Sequence, residues 1–310
     1  MRSNYKPIGN YIQKVEHRNR DLKVTRLLGL SMTKEFRETT SNIVGTDMSV
    51  YRVMSKYQFA CDFMSPIRVN KLPVVLKLDD EPNLVSPAYP VFEIKDKNEL
   101  DPEYLMMWFR RPEFDRYATF KCDAAIRGGY EWTELCETLI PVPHIDKQRE
   151  IVKEYNTVQN RINLNNQLIQ KLEETAQAIY KEWFVDGIDE NWKTKIISEI
   201  GEVITGKTPP TEDEENFGNF LPFITIPDMH NNAFALKTER SLSEKGVALQ
   251  KNKTLPENSI CVSCIGTAGL VTMVTEPSQT NQQINSIICH KDFSIYYLFM
   301  TMKSLSDIIE

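Results

Sequence analysis

The sequence predicts an α+β protein in which two similar domains of mixed strand and helix flank one long coiled-coil-type helix. Three observations predict it. Apolar residues recur in alternating steps of four and three through the middle of the chain, strand-like runs followed by a short helix lie on either side, and the two sides share short matches at nearly one offset.

The helix carries the longest signal. Ile151, Tyr155, Val158, Ile162, Asn165, Ile169, Leu172, Ala176, Ile179 and Trp183 form a seam in which Asn165 is the single polar position. A lone Asn on such a seam sets register at some cost in stability. The periodic stretch, residues 147–186, reads as a helix of about 40 residues, roughly 60 Å long at about 1.5 Å of rise per residue. Pro141 and Pro143 keep it from starting earlier, Asp146 is the expected N-cap, and Gly187 is the expected left-handed residue after its last turn. Lys153, Glu154, Arg161, Lys171 and Glu173 leave its other faces polar, so the seam is expected to dock a partner rather than fill a core. The division that follows is a first domain at 1–146, a spacer helix at 147–187 and a second domain at 188–310.

In the first domain, residues 50–53, 74–78 and 91–94 are strand-like, and Asp101 followed by Pro102 opens a short helix that Pro112 ends. In the second, residues 223–226, 259–265 and 284–289 are strand-like and lead into a counterpart helix. Ile8-Gly9-Asn10-Tyr11-Ile12 matches Ile200-Gly201-Glu202-Val203-Ile204 at an offset of 192, and Tyr104-Leu105-Met106-Met107 matches Tyr297-Leu298-Phe299-Met300 at 193. Continued at that offset, a second long helix would begin near position ~340. The second domain is therefore expected to be incomplete and the distal helix missing.

A net charge of −6 counts against a nucleic-acid binder until its distribution is read. The first 37 residues carry nine basic and three acidic side chains, enough for a local basic face. The N-terminus lacks an apolar signal core and no uncharged run is long enough to span a bilayer, so a cytoplasmic protein with no membrane contact is expected. The six cysteines are scattered, as reduced thiols are. Cys261 and Cys264 form a C-x-x-C inside an apolar, strand-like run without a second pair at zinc spacing, so they are read as strand thiols.

Pro143-His144-Ile145-Asp146-Lys147-Gln148-Arg149-Glu150-Ile151 at the start of the heptads and Tyr180-Lys181-Glu182-Trp183-Phe184 near their end resemble the central helix of type I restriction-modification specificity subunits. The second domain resembles their target-recognition domains through Gly206-Lys207-Thr208-Pro209-Pro210, Pro222-Phe223-Ile224-Thr225-Ile226-Pro227-Asp228, Gly266-Thr267-Ala268-Gly269 and Thr280-Asn281-Gln282-Gln283. The resemblance implies two target-recognition domains, each reading half of a bipartite site in double-stranded DNA. It also implies modification subunits that bind S-adenosylmethionine and dock on the helices, and a restriction subunit that adds the motor and the nuclease. This chain would hold no cofactor and perform no catalysis, with S-adenosylmethionine, ATP and Mg on the partner subunits.

Reading DNA requires Arg, Lys, Asn, Gln or hydroxyl side chains carried on loops. The candidates in the first domain are Lys34, Arg37, Lys56, Arg68 and Arg127. In the second they are Lys207, Thr208, Thr225, Lys251, Lys253, Thr267 and Gln282. Two rival readings remain. One is a coiled-coil scaffold that reads no DNA; the other is an Mg-dependent nuclease built on Asp80, Glu93 and Lys95. A methyltransferase is disfavoured by the lack of a Gly-rich loop after a strand and of an Asn/Asp-Pro-Pro-Tyr motif. Gly206-Lys207-Thr208 lacks the upstream glycine of a phosphate-binding loop.

Overall fold

The structure, a computed structural model, describes residues 5–39, 45–123 and 130–309. The chain divides into two compact units, Met1–Asn165 and Asn166–Glu310, and the division falls inside the long helix. The first unit is built on strands β1 (Ile12–Val15), β2 (Gln58–Cys61), β3 (Val74–Leu76) and β4 (Val91–Ile94), followed by helix α1 (Pro102–Phe109). The long helix α2 spans Ile145–Lys181. The second unit carries β5 (Gly201–Thr205), β6 (Ile260–Ser263), β7 (Val271–Val274) and β8 (Ile284–Cys289), then α3 (Ile295–Ser304).

The two units share one topology. In the first, the antiparallel order is β1-β4-β2-β3; in the second it is β5-β8-β6-β7, extended by a parallel strand at Phe234–Ala235. The register is shared as well. Adding 192 to the pair Ile12–Ile94 lands on the pair Ile204–Ser286, so the offset read from the sequence relates aligned residues in space.

Away from the edge strands β1 and β5, the strands of each sheet are largely buried on both faces, which is why they read as mostly apolar runs rather than as alternating ones. Phe59, Cys61, Val74 and Phe92 face the helices of the first unit, while Ala60, Val75 and Val91 face a second layer holding Leu30, Met54 and Val85. Phe59 and Phe92 stack at 4.9 Å and Phe109 of α1 meets both edge-on at 5.9 and 6.3 Å, the geometry that ring quadrupoles favour. In the second unit Ile260, Val262, Val271 and Met273 face Leu298 and Met302 of α3, and Cys261, Val274 and Ile284 face the opposite layer.

Local signals explain most boundaries. The Asp101 carboxylate accepts from the N–H groups of Glu103 and Tyr104, and Pro102 opens α1. Four expectations are corrected. Asp146 lies within the first turn of α2, because the N–H groups of Lys147 and Gln148 already bond to the His144 carbonyl. The last turn of the helix is a π-turn, Glu182–Asp186, and Gly187 follows it with φ −97°, outside the left-handed region. Glycine is needed there for close approach, since a Cβ would lie 2.7 Å from the Glu182 carbonyl oxygen. Pro112 ends α1 but also opens a second helix, Pro112–Asp123. The strand expected at residues 50–53 is a 3₁₀ turn, Met48–Val50, followed by a strand at Arg52–Met54.

Burial pushes the Cys261 thiol up to about 12, with the Ser286 hydroxyl 3.4 Å away pulling weakly in the other direction. Because the folded value lies above the unfolded 9.0, stability is complete below about pH 9 and falls as pH rises toward 12. The second unit is expected to be about 2 kcal/mol less stable at about pH 10.5 than at about pH 8 from this thiol. Urea unfolding at the two values checks this, and Cys261→Ala should remove that share of the alkaline loss.

Candidate nucleic-acid interface

At one end of the second sheet, four chain segments converge. The loop after β5 is laid along residues 280–284 by bonds from Gly206 N to the Ile284 carbonyl (3.0 Å) and from Lys207 N to the Thr280 carbonyl (2.9 Å). No side chain fits at position 206, where a Cβ would stand 2.1 Å from the Asn281 carbonyl oxygen. Thr208 Oγ1 pairs with Gln282 Oε1 at 2.6 Å. Buried Gln250 donates from Nε2 to the Lys207 carbonyl and to Gln279 Oε1, both at 2.8 Å, which seats the 3₁₀ turn Lys251–Lys253 beside the loop. The β6–β7 hairpin is tied in by the Cys264 N–H on the Gln283 carbonyl (2.9 Å) and turns on Gly266 and Gly269, both at positive φ.

This convergence leaves Lys207, Lys251, Thr267 and Gln282 exposed on a framework of buried strands, with Thr208 and Lys253 half-buried beside them. Thr225 is close by, because the Ile224 carbonyl accepts from Asn281 N, but its N–H and hydroxyl both donate to Asp228 Oδ2 at 2.8 Å. Its hydroxyl is thus engaged by the Asp228 carboxylate at the start of the short helix Ile226–Met229, and Thr225 is half-buried. Two ammonium groups, an amide and a hydroxyl on rigid loops suit phosphate contacts and base-edge hydrogen bonds.

The candidates of the first unit do not converge. Lys34 is 5% exposed; its ammonium donates to the Phe109 carbonyl and to Asp115 Oδ1 at 2.8 Å. Burial pulls its pKa below the usual lysine value, with Asp115 opposing. Lys34 is therefore a core ion-pair residue, turned inward at a hairpin where its own φ is +64°. Lys56 pairs with Asp80 at 3.0 Å and sits before β2, at the end of the sheet opposite the β2–β3 hairpin. Arg37 is exposed, with its Nε on the Leu30 carbonyl, and Arg68 is exposed on the short helix Ser65–Val69 within that hairpin. Arg127 lies outside the described residues.

The side chains of the nuclease reading have separate partners. Asp80 binds Lys56, Glu93 accepts from Gln13 and Gln58 at 2.9 and 3.0 Å, and Lys95 donates to the carbonyls of Gly9 and Asn10. Among the described residues, no group of three or more His, Cys, Asp or Glu side chains could hold a metal ion, and no helix is long and apolar enough to cross a membrane.

Residues 189–309, which hold all four converging segments, match the family described as type I restriction modification DNA specificity domain. Over these residues the chain is similar to a type I specificity domain. Likeness extends beyond it. The chain is 30% identical to the type I restriction enzyme HindI specificity subunit of Haemophilus influenzae, over 72% of this chain and 64% of that one. It is 33% identical to the MjaIX specificity subunit of Methanocaldococcus jannaschii over 42% of this chain and 31% of that one. The chain thus spans less than two thirds of the length of these curated relatives. Its fold is similar to that of the crystal structure of the type I restriction-modification S subunit from M. genitalium, with TM-score 0.58 and 11% identity, covering 98% of this chain and 77% of that one.

Outside these converging loops, the helical seam stays largely uncovered. Val158 is 61% exposed, Leu172 60% and Trp183 62%, and Ile162, Asn165, Ile169, Ala176 and Ile179 are also exposed. Only the seam's first residues pack: Ile151 and Tyr155 are half-buried, and Tyr155 OH receives Arg110 Nη1 at 3.4 Å. Near the other end, Tyr180 OH donates to Thr301 Oγ1 at 3.0 Å, within the second unit.

Proposed function

We propose that this chain reads double-stranded DNA without chemistry of its own, as the specificity subunit of a type I restriction-modification complex. The observation that carries the reading is the convergence of Lys207, Lys251, Thr267 and Gln282 at one end of a buried sheet, held there by backbone bonds and the Gln250–Gln279 pair. Lysines on such a rim hold phosphates and fix orientation, while Gln282, its Oε1 occupied by Thr208, keeps its NH₂ to offer a base edge. The first unit, with the same strand order, reads the other half of a split site. Helix α2 serves as spacer, and its exposed seam receives a partner helix and the modification subunits. S-adenosylmethionine, ATP and Mg belong to the modification and restriction partners.

Fluorescence anisotropy with random-sequence duplex, alone and with the modification subunit, tests this between about 50 and about 200 mM salt. The double variant Lys207→Ala/Lys251→Ala should weaken binding at every sequence and lower the salt slope by about 2, whereas Gln282→Ala should relax sequence preference. Absence of binding under all these conditions would leave the scaffold reading, which the exposed seam alone favours.

A further inference from the structure

The shared topology allows the reading end of one unit to be transferred onto the other. In the second unit the converging segments are the loop after the first strand, the 3₁₀ turn Lys251–Lys253 just before Leu255, which bridges to Ser278, the hairpin between β6 and β7, and the segment before β8. The first unit has each of these in the same topological place. They are residues 16–27 after β1, the 3₁₀ turn Met48–Val50, the hairpin 62–73 between β2 and β3, and residues 86–90 before β4. The ties between them also correspond. In the second unit Gln250 reaches the Lys207 carbonyl; in the first, Arg18 Nη1 reaches the Val50 carbonyl at 3.0 Å, so the loop is again fastened to its 3₁₀ turn. A parallel bridge at Leu27–Leu84 stands where Phe223–Ile224 pairs in parallel with Gln279–Thr280.

The loop after β1 is held in shape from inside. Asn19 is 1% exposed, its Nδ2 donates to the Val24 carbonyl at 2.8 Å, its Oδ1 accepts from Val24 N at 3.2 Å, and its own N–H bonds to the Tyr51 carbonyl. Leu22 takes the left-handed conformation, φ +56°, at the loop's tip. The loop therefore presents Arg20 and Lys23 outward on a closed ring of backbone. The hairpin adds exposed Arg68 and Lys71. Among the described residues, Arg20, Arg68 and Lys71 have no ion pair, whereas the acidic groups at this end are engaged. Glu16 binds Arg52 at 2.7 Å, Asp21 pairs with Lys23, and Asp62 caps Met64 N and the Ser65 hydroxyl.

We propose that the first unit grips the DNA backbone with Arg20 and Lys23 of the loop after β1 together with Arg68 and Lys71 of the β2–β3 hairpin. The inference rests on the DNA-reading function proposed above and names where in the first unit it resides. It moves the site away from Lys34, which is buried, and from Lys56, which lies at the other end of the sheet. Cations spaced around one end of a sheet neutralise several phosphates at once, the arrangement that gives binding a steep salt dependence.

The full chain with fluorescent random-sequence duplex gives the test. Arg20→Ala/Arg68→Ala should weaken binding about tenfold near physiological salt and lower the salt slope by about 2, with Lys23→Ala/Lys71→Ala behaving alike. Lys56→Ala/Lys97→Ala, at the opposite end, should change neither, and Arg20→Lys should retain binding. All these side chains lie at the surface, and an unchanged thermal unfolding profile shows that the fold is kept. If Lys207→Ala/Lys251→Ala weakens binding while Arg20→Ala/Arg68→Ala does not, the inference is overturned and the DNA-reading function stands. The same holds if the opposite-end pair is the one that weakens binding. If the unaltered chain binds no duplex, with or without the modification subunit, both are overturned.

Discussion

Gly206→Ala is expected to destabilise the second unit by about 3 kcal/mol, toward the upper end of overpacking penalties. The added Cβ would sit 2.1 Å from the Asn281 carbonyl oxygen, 2.2 Å from Thr280 Oγ1 and 2.5 Å from the Thr280 carbonyl oxygen. Two of these three atoms are backbone and cannot swing aside. Relief requires the loop after β5 to lift from residues 280–284, breaking the bonds from Gly206 N and Lys207 N and displacing the Thr208–Gln282 pair. Stability and DNA binding should therefore fall together. Gly266→Ala supplies the contrast. Its φ of +87° strains an alanine, but its nearest neighbour is the Gln283 amide nitrogen at 3.5 Å, so a loss of only about 1 to 2 kcal/mol is expected. Urea midpoints of the two variants decide the matter; an equal or smaller loss for Gly206→Ala would refute the packing described at this loop.

Lys34→Ala is expected to cost the first unit about 3 to 4 kcal/mol, because removing one member of a buried ion pair strands the other. Among the described residues Asp115 would keep only the Leu72 N–H, at 3.0 Å, as a partner for a largely buried carboxylate, and the Phe109 carbonyl would lose the ammonium it accepts from. The Phe114 ring, 5.7 Å from the Lys34 Nζ, would lose its cation as well. The double variant Lys34→Met/Asp115→Asn should recover part of the loss, since the neutral amide can still accept from Leu72 N. Denaturant unfolding of the single and double variants tests this. A Lys34→Ala protein as stable as the parent, or one with normal stability and weakened DNA binding, would mean that the lysine faces outward after all.

Much of the architecture was legible in the residues because the signals were periodic or local. The heptad seam from Ile151 to Trp183 needs only its spacing to declare a helix. Asp101 and Pro102 carry their own capping chemistry, and the strands at residues 91–94 and 284–289 are largely buried on both faces, so most of their residues are apolar. The ends of α2 were less legible. The His144 carbonyl rather than the Asp146 side chain closes the first turn, and Gly187 serves close packing against Glu182 rather than a left-handed turn.

The candidate site divides along the same line. In the second unit the motifs around Gly206, Ile224, Gly266 and Gln282 pointed to side chains that the fold gathers at one end of the sheet. In the first unit, choosing basic residues by type picked Lys34 and Lys56 and passed over Arg20 and Lys23. Nothing in local sequence separates a lysine that faces Asp115 from one that faces water, because the partner lies 81 positions away. The signal that could have found Arg20 was the repeat itself, by carrying the loop after β5 back 192 positions onto the loop after β1.

The sequence by itself determined that a long amphipathic helix adjoins two copies of one strand plan, since periodicity and internal repetition are properties of residue order. Only the tertiary structure decided which charges are interior struts and which are free to meet a phosphate. That choice depends on burial and on partners brought together across long stretches of chain, where desolvation outweighs whatever the residue type alone would favour.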